Sequence, residues 1–233
     1  MKHKKHIECK DCTLNTSTLF EQLSEEEYAL LNYDKNCQAY KRGDFIFHEG
    51  NHATGFYCVN EGIIKLYKTG PEGREQIITF ARQGDIIGYR SVLSKETFCT
   101  TAKVITDAFV CFIPATRLFK LVETNTDFSL KLIQQACKEL GDANKYITDI
   151  AQKTVKERLA EVLLNLLEQF GRNEDEYLNI PLTREELANL VGTATESVIR
   201  MLSQFKSQGL IELKGRKIKV IKTNELKMIS EQF

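Results

Sequence analysis

The spacing of hydrophobic positions changes along this chain and divides it into segments with different predicted structures. Residues 19–32 have the pattern of a helix, with Ser24 as its N-cap and Glu27 three residues later. From residue 38 to residue 114, short runs of β-branched and aromatic residues alternate with glycines. Such runs predict the strands of a β-sandwich or small barrel. They occupy residues 45–47, 56–59, 63–67, 77–80, 103–105 and 108–113.

From about Asn125 the chain is predicted to be helical, and its apolar positions recur at alternating spacings of three and four. This heptad pattern makes a narrow apolar stripe, which requires a partner helix. We therefore predict a homodimer that pairs through this helix; the alternative is a helix that packs only on its own β-rich domain. Phe128, Leu130 and Leu132 lie off the stripe and are expected to face that domain. The stripe, called the seam below, consists of Ile133, Ala136, Leu140, Ala143, Ile147 and Ile150.

Residues 183–202 are the most informative segment, because they predict two short helices joined by a tight turn at Gly192. Glycine can adopt the positive φ that a sharp helix end needs. Thr183 with Glu186, and Thr193 with Glu196, fit the capping box of a helix N-terminus. The arrangement is typical of a helix-turn-helix, whose second helix enters the major groove of DNA. The alternative is a pair of ordinary amphipathic helices in a bundle.

The segments on either side of this motif support DNA binding. An amphipathic helix is predicted over residues 155–170, and a polar loop follows over residues 171–176. Residues 211–213 and 218–221 predict a β-hairpin with a basic tip, the wing of a winged helix-turn-helix. From residue 182 to residue 222 there are eight Lys or Arg residues against four acidic ones. This local positive excess favours contact with DNA phosphates.

The side chains of the second helix predict how DNA is read. Arginine donates two hydrogen bonds to guanine and a carboxylate accepts one from cytosine, so Glu196 and Arg200, one turn apart, are expected to read a C·G pair. Thr195 and Ile199 flank them and can touch a thymine methyl. An ion pair within the helix is the alternative for Glu196 and Arg200. The predicted phosphate contacts are Thr183, Thr193, Ser197, Lys214, Arg216 and Lys217.

Composition limits the other possibilities. The 233 residues are 42% hydrophobic, enough for ordinary cores, and the formal net charge is zero, so no global basic field attracts nucleic acid. We find no pattern of a membrane span or a signal peptide and expect a cytoplasmic protein. Seven cysteines without a disulfide framework favour free thiols, a metal site or redox sensing in a reducing compartment. Cys37, Cys58, Cys99 and Cys137 are expected to be buried or half-buried thiols.

No catalytic pattern is present, so we predict that the chain is not an enzyme. A Ser/His/Asp array, a P-loop and a dinucleotide-binding fingerprint are all missing from the sequence. A thiol oxidoreductase built on Cys9 and Cys12 would need a thioredoxin-like βαβ context, which the N-terminal segment lacks. A further alternative is a cyclic-nucleotide-type regulatory module that does not act on DNA. That alternative leaves the helix-turn-helix and the basic wing unexplained.

A β-barrel, a long helix and a winged helix-turn-helix in this order resemble the Crp/Fnr superfamily of bacterial transcription regulators. The similarity runs from about Leu19 onward. It implies an α+β fold, in which a cyclic-nucleotide-binding-type β-barrel (a double-stranded β-helix or jelly roll) precedes a dimerisation helix and a winged helix-turn-helix. The segments that carry the similarity are residues 41–50, 59–67, 84–88, 154–160 and 195–200.

This resemblance also implies domain boundaries and partners. The expected function is a homodimeric, sequence-specific transcription regulator that senses an unidentified signal through its barrel, with redox and nitrosative signals as candidates. The implied partners are double-stranded DNA with an inverted-repeat operator, a second copy of the chain, and RNA polymerase. The expected domains are an N-terminal Cys/His segment over residues 1–18, the sensory barrel over 19–124, the dimerisation helix over 125–152 and the DNA-binding domain over 153–233.

The chain differs from the family members that bind cyclic AMP at the positions that hold the nucleotide. Those members have a Glu for the ribose and an Arg-Ser/Thr-Ala triplet for the phosphate, whereas here Tyr89 follows Gly88 and Thr100 stands in place of the arginine. Without the arginine, a buried phosphate has no bidentate cationic partner. We therefore expect an effector other than cyclic AMP held in the usual way. The candidate pocket residues are Gly88, Tyr89, Arg90, Thr100 and Thr101.

Oxygen-sensing Fnr members hold an iron–sulfur cluster through three N-terminal cysteines and one in the barrel. Two N-terminal cysteines resemble the first pair, but Thr18 stands at the place of the third, so a standard four-thiolate cluster is incomplete. Two histidines extend the pattern, and four N and S ligands at spacings of three also suit zinc. The cofactor is unknown; we expect none, with an incomplete iron–sulfur site or a zinc site as the alternative. The candidate metal ligands are His3, His6, Cys9, Cys12 and Cys111.

Overall fold

A computed structural model describes residues 8–9, 19–21 and 23–231 of the chain. The chain divides into two compact units. The first unit ends at Leu140, and the second begins at Gly141 and also includes Thr69–Ile77. Within the described part of the chain, no helix combines the length and the apolar character needed to cross a membrane.

The first unit is a β-sheet structure with helices packed on one of its faces. The long strand β6 pairs antiparallel with β1, β2 and β3, and β3 also pairs with β4 and β5. The elements are α1 (Glu25–Asn32), β1 (Asn36–Tyr40), β2 (Phe45–Phe47), β3 (Gly55–Thr69), β4 (Glu75–Ala81), β5 (Ile86–Ile87), α2 (Tyr89–Ser94), β6 (Thr101–Pro114), α3 (Ala115–Thr124) and α4 (Thr126–Gln152). Parts of β3, β4 and α4 also belong to the second unit.

The two faces of the sheet belong to two different cores, because successive residues of a strand point to opposite sides. Val59 and Val110 line the barrel interior. Phe56 and Ile113 lie in the other core, which α1, α3 and the start of α4 complete. The barrel therefore has one core within it and a second core between its wall and the helices.

The predicted strands are confirmed, but several of them are joined. The runs at 56–59 and 63–67 are parts of β3, and those at 103–105 and 108–113 are parts of β6. The apparent breaks coincide with shifts of register between β3 and β6, where the pattern of burial changes along a continuous strand. The sequence did not predict β1, β5, α2 or α3, and the first helix begins at Glu25 rather than at residue 19.

The long helix α4 uses different faces along its length. Phe128 and Leu132 are buried in the core beside the sheet, as predicted. The prediction for Leu130 is wrong, because its side chain is exposed. Leu130 lies roughly 200° around the helix axis from both Phe128 and Leu132, since successive residues are about 100° apart, so the three cannot share one face.

The second unit is a helical domain with a two-stranded β-hairpin. Its core contains Leu159, Leu163, Leu187, Val198 and Phe205, all of them fully buried. The predicted helix over 155–170 is confirmed, while the last helix was not predicted. The elements are α5 (Val155–Phe170), α6 (Arg184–Val191), α7 (Thr195–Ser207), β7 (Ile211–Lys214), β8 (Lys217–Val220) and α8 (Thr223–Ser230).

The helix N-termini support two of the three predicted capping boxes. Ser24 with Glu27, and Thr183 with Glu186, each form both reciprocal hydrogen bonds. The prediction for Thr193 is wrong, because α7 begins one residue later than it requires: Ala194 is the N-cap and makes no side-chain hydrogen bond. A third box at the start of α5 was not predicted.

One pair of cysteines differs from the expectation, which favoured free thiols, a metal site or redox sensing. Cys37 and Cys111 form a disulfide, because β1 and β6 place them opposite each other. Cys58 is buried, as expected. Cys99 and Cys137 are exposed, so the prediction that they are buried or half-buried is wrong for both.

Candidate nucleic-acid interface

The helix-turn-helix is formed by α6 and α7, with a tight turn at Gly192. Leu187, Ala188 and Val191 of the first helix and Val198 of the second are buried, so the two helices share the core of the second unit. Gly192 has φ +72°, and its N–H donates to the Ala188 carbonyl at 2.9 Å. Only glycine adopts this conformation without strain, which explains the sharp change of direction between the helices.

Arg158 of α5 holds this turn in place. Its Nε donates to the Val191 carbonyl at 3.0 Å, and one Nη lies 3.4 Å from the Gly192 carbonyl. The other Nη donates to the Lys153 carbonyl at 2.6 Å. A single guanidinium thus satisfies carbonyls at the end of α6 and just before α5, which α-helical hydrogen bonds leave open.

A network of charges joins the end of α4 to α5. Glu161 accepts hydrogen bonds from Lys145 and Lys153, each at 2.5 Å, and Lys153 also pairs with Asp149 at 2.9 Å. Burial would raise the pKa of the Glu161 carboxyl, but the hydrogen bonds from the two lysines outweigh it and lower that pKa. Burial would lower the pKa of Lys153, but its carboxylate partners raise it. Both residues are therefore held in their charged forms.

The predicted base-reading residues lie together on the first two turns of α7. Glu196, Ile199 and Arg200 are exposed, and Thr195 is half-buried. Within the described residues, Glu196 and Arg200 make no ion pair with each other or with another group, so the alternative of an intrahelical ion pair is not realised. The N-cap of α7 is Ala194, which makes no side-chain hydrogen bond.

The wing is the hairpin of β7 and β8, and its tip is fixed from α6. The Arg184 guanidinium donates to the Gly215 carbonyl at 2.9 Å and to the Arg216 carbonyl at 3.2 Å. The hairpin register pairs Lys214 with Lys217, so the predicted hairpin is confirmed with both lysines at the strand ends. The basic tip is therefore attached to the first helix of the helix-turn-helix.

The three basic side chains of the tip have different surroundings. Lys214 and Arg216 are exposed and form no ion pair within the described residues. Lys217 pairs with Asp175 at 3.1 Å and lies over the Tyr177 ring. A phosphate has to compete with Asp175 for Lys217, whereas Lys214 and Arg216 are available.

The hydroxyl-bearing candidates for phosphate contact are placed at the helix N-termini. The Thr183 hydroxyl caps α6, since it accepts from the Glu186 N–H at 3.0 Å and lies 3.0 Å from the Glu186 carboxylate. Thr193 and Ser197 are half-buried. Thr193 and Ser197 lie on either side of the start of α7, where backbone N–H groups and the helix dipole favour an anion.

The seam of α4 leaves large apolar side chains in solvent. Ile133, Leu140 and Ile147, which are seven residues apart, are 60%, 61% and 65% exposed. Ala136 is half-buried and Ala143 is exposed between them. Ile150 differs, because a Cβ on Gly192 would lie 2.7 Å from its Cδ1, so this side chain packs against the turn of the helix-turn-helix.

The candidate effector pocket is filled by aromatic side chains. Phe98 stacks on Phe47 with ring centroids 4.0 Å apart, and Tyr57 lies next to both rings. Gly88 has φ +80°, and a Cβ there would lie 2.7 Å from Phe98. Because Phe98 is buried against Gly88, aromatic rings occupy the barrel interior beside this segment.

Three of the polar candidates of this pocket, Tyr89, Arg90 and Thr101, bind protein groups. The Tyr89 hydroxyl donates to Glu139 at 2.8 Å, and Arg90 pairs with the same carboxylate at 3.2 Å. Burial and the neighbouring Glu139 carboxylate raise the pKa of Tyr89 far above its ordinary value, so it stays a neutral donor. Thr100 and Thr101 are buried, and the Thr101 hydroxyl accepts from the Glu49 N–H at 3.0 Å. Arg90, the one cationic candidate of this set, is thus engaged by a carboxylate.

Two of the five metal candidates lie among the described residues and three do not. His3, His6 and Cys12 lie outside the described residues. Cys9 is buried, and its sulfur accepts a hydrogen bond from Lys35 at 3.3 Å. Cys111 is in the disulfide with Cys37 and cannot ligate a metal in that state. Among the described residues, no three His, Cys, Asp or Glu side chains converge as metal ligands do.

Sequence reasoning missed the residues that position the interface. Arg158 was placed only in a predicted helix and in a segment that carries the family resemblance. Arg184 was only one of the eight basic residues between positions 182 and 222, and no role was predicted for Glu139. Their partners are backbone carbonyls or side chains distant in sequence, so the spacing of residues along the chain does not predict these contacts. The capping pattern of Thr154 and Glu157 was visible in the sequence and identifies the start of α5.

Comparison with known proteins shows the same two parts. The family model "Cyclic nucleotide-binding domain" matches residues 37–125, and "Crp-like helix-turn-helix domain" matches residues 157–229. The "Transcriptional activator protein anr" of Pseudomonas aeruginosa is 28% identical, over 94% of this chain and 90% of that protein. The "CRP-like cAMP-activated global transcriptional regulator" of Mycobacterium tuberculosis is 26% identical, over 93% of this chain and 97% of that protein.

A solved structure agrees with these relatives. The structure of FixK2 from Bradyrhizobium japonicum matches with a TM-score of 0.75 at 26% identity, over 84% of this chain and 96% of that one. The β-rich domain, the helices and the C-terminal helix-turn-helix are thus found in one order across nearly full-length relatives, and the resemblance inferred from the sequence is confirmed. The chain belongs to the Crp/Fnr family of DNA-binding transcription regulators.

Proposed function

We propose that this regulator binds an inverted-repeat operator as a parallel homodimer, with α7 of each copy in a major groove and each wing on the adjacent phosphates. It acts by binding, in the cytoplasm and together with RNA polymerase, rather than by catalysis. Its barrel responds to an effector that is not a cyclic nucleotide held in the usual way. No cofactor is part of this proposal.

The observation that carries the proposal is the unpaired state of Glu196 and Arg200 on the exposed face of α7. Side chains at i and i+4 lie on one face of a helix, so both can reach neighbouring bases in a groove. An unpaired guanidinium can donate both of its hydrogen bonds to guanine O6 and N7, and the carboxylate can accept from cytosine N4. The exposed Ile199 lies between them and suits a thymine methyl.

The test begins with an operator selected in vitro from random duplexes with the purified full chain. Arg200→Ala should weaken binding to that operator by about 1–3 kcal/mol and relax the preference at one base pair. Lys206→Ala is the matched control, because Lys206 is an exposed basic residue in the last turn of the same helix. Equal losses on the operator and on random DNA would assign Arg200 to a phosphate and contradict base reading.

The exposed seam supports the homodimer. Three large apolar side chains at heptad spacing leave an apolar stripe in water unless a second helix covers it. In a parallel pair, a two-fold axis relates the recognition helices, and the operator has to carry the same symmetry. The inverted repeat follows from this geometry.

The aromatic filling of the barrel supports an effector other than a cyclic nucleotide. A cyclic phosphodiester keeps its negative charge, and burying it is costly unless a cation and hydrogen-bond donors replace water. Arg90 is paired with Glu139, and the two threonines carry no charge. Calorimetric titration with cyclic AMP and cyclic GMP should show no heat of binding. Micromolar binding that is lost in Thr100→Val would contradict this part of the proposal.

A further inference from the structure

Three neighbouring strands of the sheet carry one cysteine each at paired positions. Cys37 of β1 lies opposite Cys111 of β6, and Cys111 lies opposite Cys58 of β3. Directly opposed residues of an antiparallel sheet point to the same face, with Cβ atoms about 4.5–5.5 Å apart. The three side chains therefore form a row across the sheet, with Cys111 in the middle; we call it the cysteine row.

The cysteine row lies on the face of the sheet that the helices cover. Cys58 and Cys111 are buried in the core formed with α1, α3 and the start of α4, and Cys37 packs against that core. Cys37 is half-buried, so it is the member of the row that solvent reaches. Tyr57 and Phe112, the neighbours of Cys58 and Cys111, pack together on the opposite face, with ring centroids 5.2 Å apart. The strand register and the alternation of side chains thus place the three cysteines on one face of the sheet, whether or not the disulfide is present.

We infer that the cysteine row is a reversible thiol–disulfide site, in which the bond between Cys37 and Cys111 forms on oxidation and can pass to Cys58. The disulfide joins Cys37 and Cys111 in this structure, and Cys58 stands next to the shared sulfur on the other side. Neither the DNA contacts nor the effector proposal uses these residues.

A hydroperoxide is the oxidant class that this site would meet through Cys37. The Cys37 thiol attacks the O–O bond of hydrogen peroxide and becomes a sulfenic acid, with release of one water. The Cys111 thiol then displaces the sulfenic hydroxyl, which leaves as a second water, and the S–S bond forms. Two thiols lose two protons and two electrons, and the peroxide takes them up as it becomes two waters. A dithiol reductant reverses the change and becomes a disulfide itself.

Transfer within the row needs no further oxidant. The Cys58 sulfur attacks the Cys111 sulfur, the bond between Cys111 and Cys37 breaks, and the proton of Cys58 passes to Cys37. One disulfide and one thiol are present before and after the step, so atoms and electrons balance. Cys37 is the favoured leaving group, because it is the half-buried member of the row and water can solvate it.

The two oxidised forms differ in which strand they attach. In the described structure, β1 is an edge strand that pairs with β6 alone. The bond between Cys37 and Cys111 fastens this edge to the middle of the sheet, whereas a bond between Cys58 and Cys111 would join two strands that already pair along most of their length. Transfer of the bond would therefore release β1 without weakening the barrel wall.

The test maps disulfides in the full-length chain by acid quenching, alkylation after unfolding, and peptide mass spectrometry. After reduction and a pulse of hydrogen peroxide, the wild type should give the peptide pair that joins Cys37 to Cys111. When the oxidised wild type is then kept under native conditions without peroxide, the pair joining Cys58 to Cys111 should appear as the first pair declines, whereas Cys37→Ser, which lacks the entry point for the oxidant, should stay reduced at Cys58 and Cys111. Cys58→Ala should restrict the link to Cys37 and Cys111. Cys99→Ala is the matched control and should leave every linkage unchanged.

Both informative variants keep Cys111, and far-ultraviolet circular dichroism establishes that each is folded. Absence of the second pair from the oxidised wild type kept under native conditions would overturn the transfer, and ready formation of that pair in folded Cys37→Ser would overturn entry of the oxidant through Cys37. Failure of dithiothreitol to open the first pair under native conditions would overturn its reversibility. One equivalent of iron or zinc in anaerobically purified wild type, lost in Cys37→Ser, would show the row to be a metal site instead. The mapping uses no DNA, so its result does not depend on the proposed operator contacts.

Discussion

Replacement of Arg158 by alanine should loosen the turn of the helix-turn-helix without altering its DNA-contacting face. The guanidinium makes two well-formed hydrogen bonds, at 3.0 Å to the Val191 carbonyl and 2.6 Å to the Lys153 carbonyl, and a long contact of 3.4 Å to the Gly192 carbonyl. A hydrogen bond from a charged donor contributes about 1.5–3 kcal/mol, so the two good bonds give a gross loss of about 3–6 kcal/mol.

Part of that loss is recovered by water. Arg158 is half-buried, so solvent can reach some of the carbonyls that the substitution exposes. We therefore expect the free energy of unfolding to fall by about 2–3 kcal/mol. Arg158→Lys should fall by about half as much, because an ammonium keeps the charge but cannot bridge carbonyls that the planar guanidinium reaches together.

Urea denaturation of the full chain, followed by circular dichroism, measures these changes. Arg200→Ala is the matched control: Arg200 is exposed and unpaired, so it should change stability by less than about 0.5 kcal/mol while it weakens operator binding. Arg158→Ala should instead show a large loss in the free energy of unfolding. A stability of Arg158→Ala within about 0.5 kcal/mol of the wild type would refute the reasoning and leave apolar packing as the cause of the turn.

Three further outcomes follow from the same surfaces. Neutralising Lys214 and Arg216 together should weaken binding to all DNA sequences and reduce the slope of log affinity against log salt by about two. Fluorescence anisotropy titrations at a series of salt concentrations measure this slope. An unchanged slope would remove the wing from the interface. Replacing Leu140 and Ile147 with Glu puts like charges into the seam and should give monomers in sedimentation, whereas a dimer with full operator affinity would argue against the seam. Stability from Glu161, whose pKa is lowered by its two lysine partners, is present above pH 4.5 and is lost as the pH falls through the lowered pKa. Glu161→Gln should therefore be less stable than the wild type at neutral pH and lose less stability when the pH is lowered below 4.5. Thermal unfolding of both proteins at neutral and at acidic pH measures this. An equal loss of stability in the wild type and the variant would assign the acid effect to other groups.

Elements with a strong local pattern could be predicted from the sequence. The helix-turn-helix was visible because Gly192, a capping box and the apolar spacing of α6 act within a few residues of one another. The long helix α4 was visible because its apolar positions keep a helical spacing over nearly its whole length. In both cases the information lies in neighbouring residues, and local geometry converts it directly into structure.

Elements that depend on distant partners could not be predicted. Cys37 and Cys111 are separated by 74 positions, and only the pairing of β1 with β6 brings them together. Thr193 and Glu196 have the spacing of a capping box, yet the turn after Gly192 makes Ala194 the N-cap. A one-residue difference in where a helix begins changes which side chain is available to DNA, and spacing alone does not resolve it.

The fold that this chain shares with its relatives does not by itself identify a ligand for its barrel. A relative named as cAMP-activated is 26% identical over most of both chains, so the architecture is shared. In this chain Phe98 fills the interior beside Gly88, and Glu139 of the long helix takes the Tyr89 hydroxyl and the Arg90 side chain. The barrel domain thus contacts the long helix directly through these protein groups. Ligand identity has to be argued from those side chains and not from the fold, because one architecture accommodates many sites.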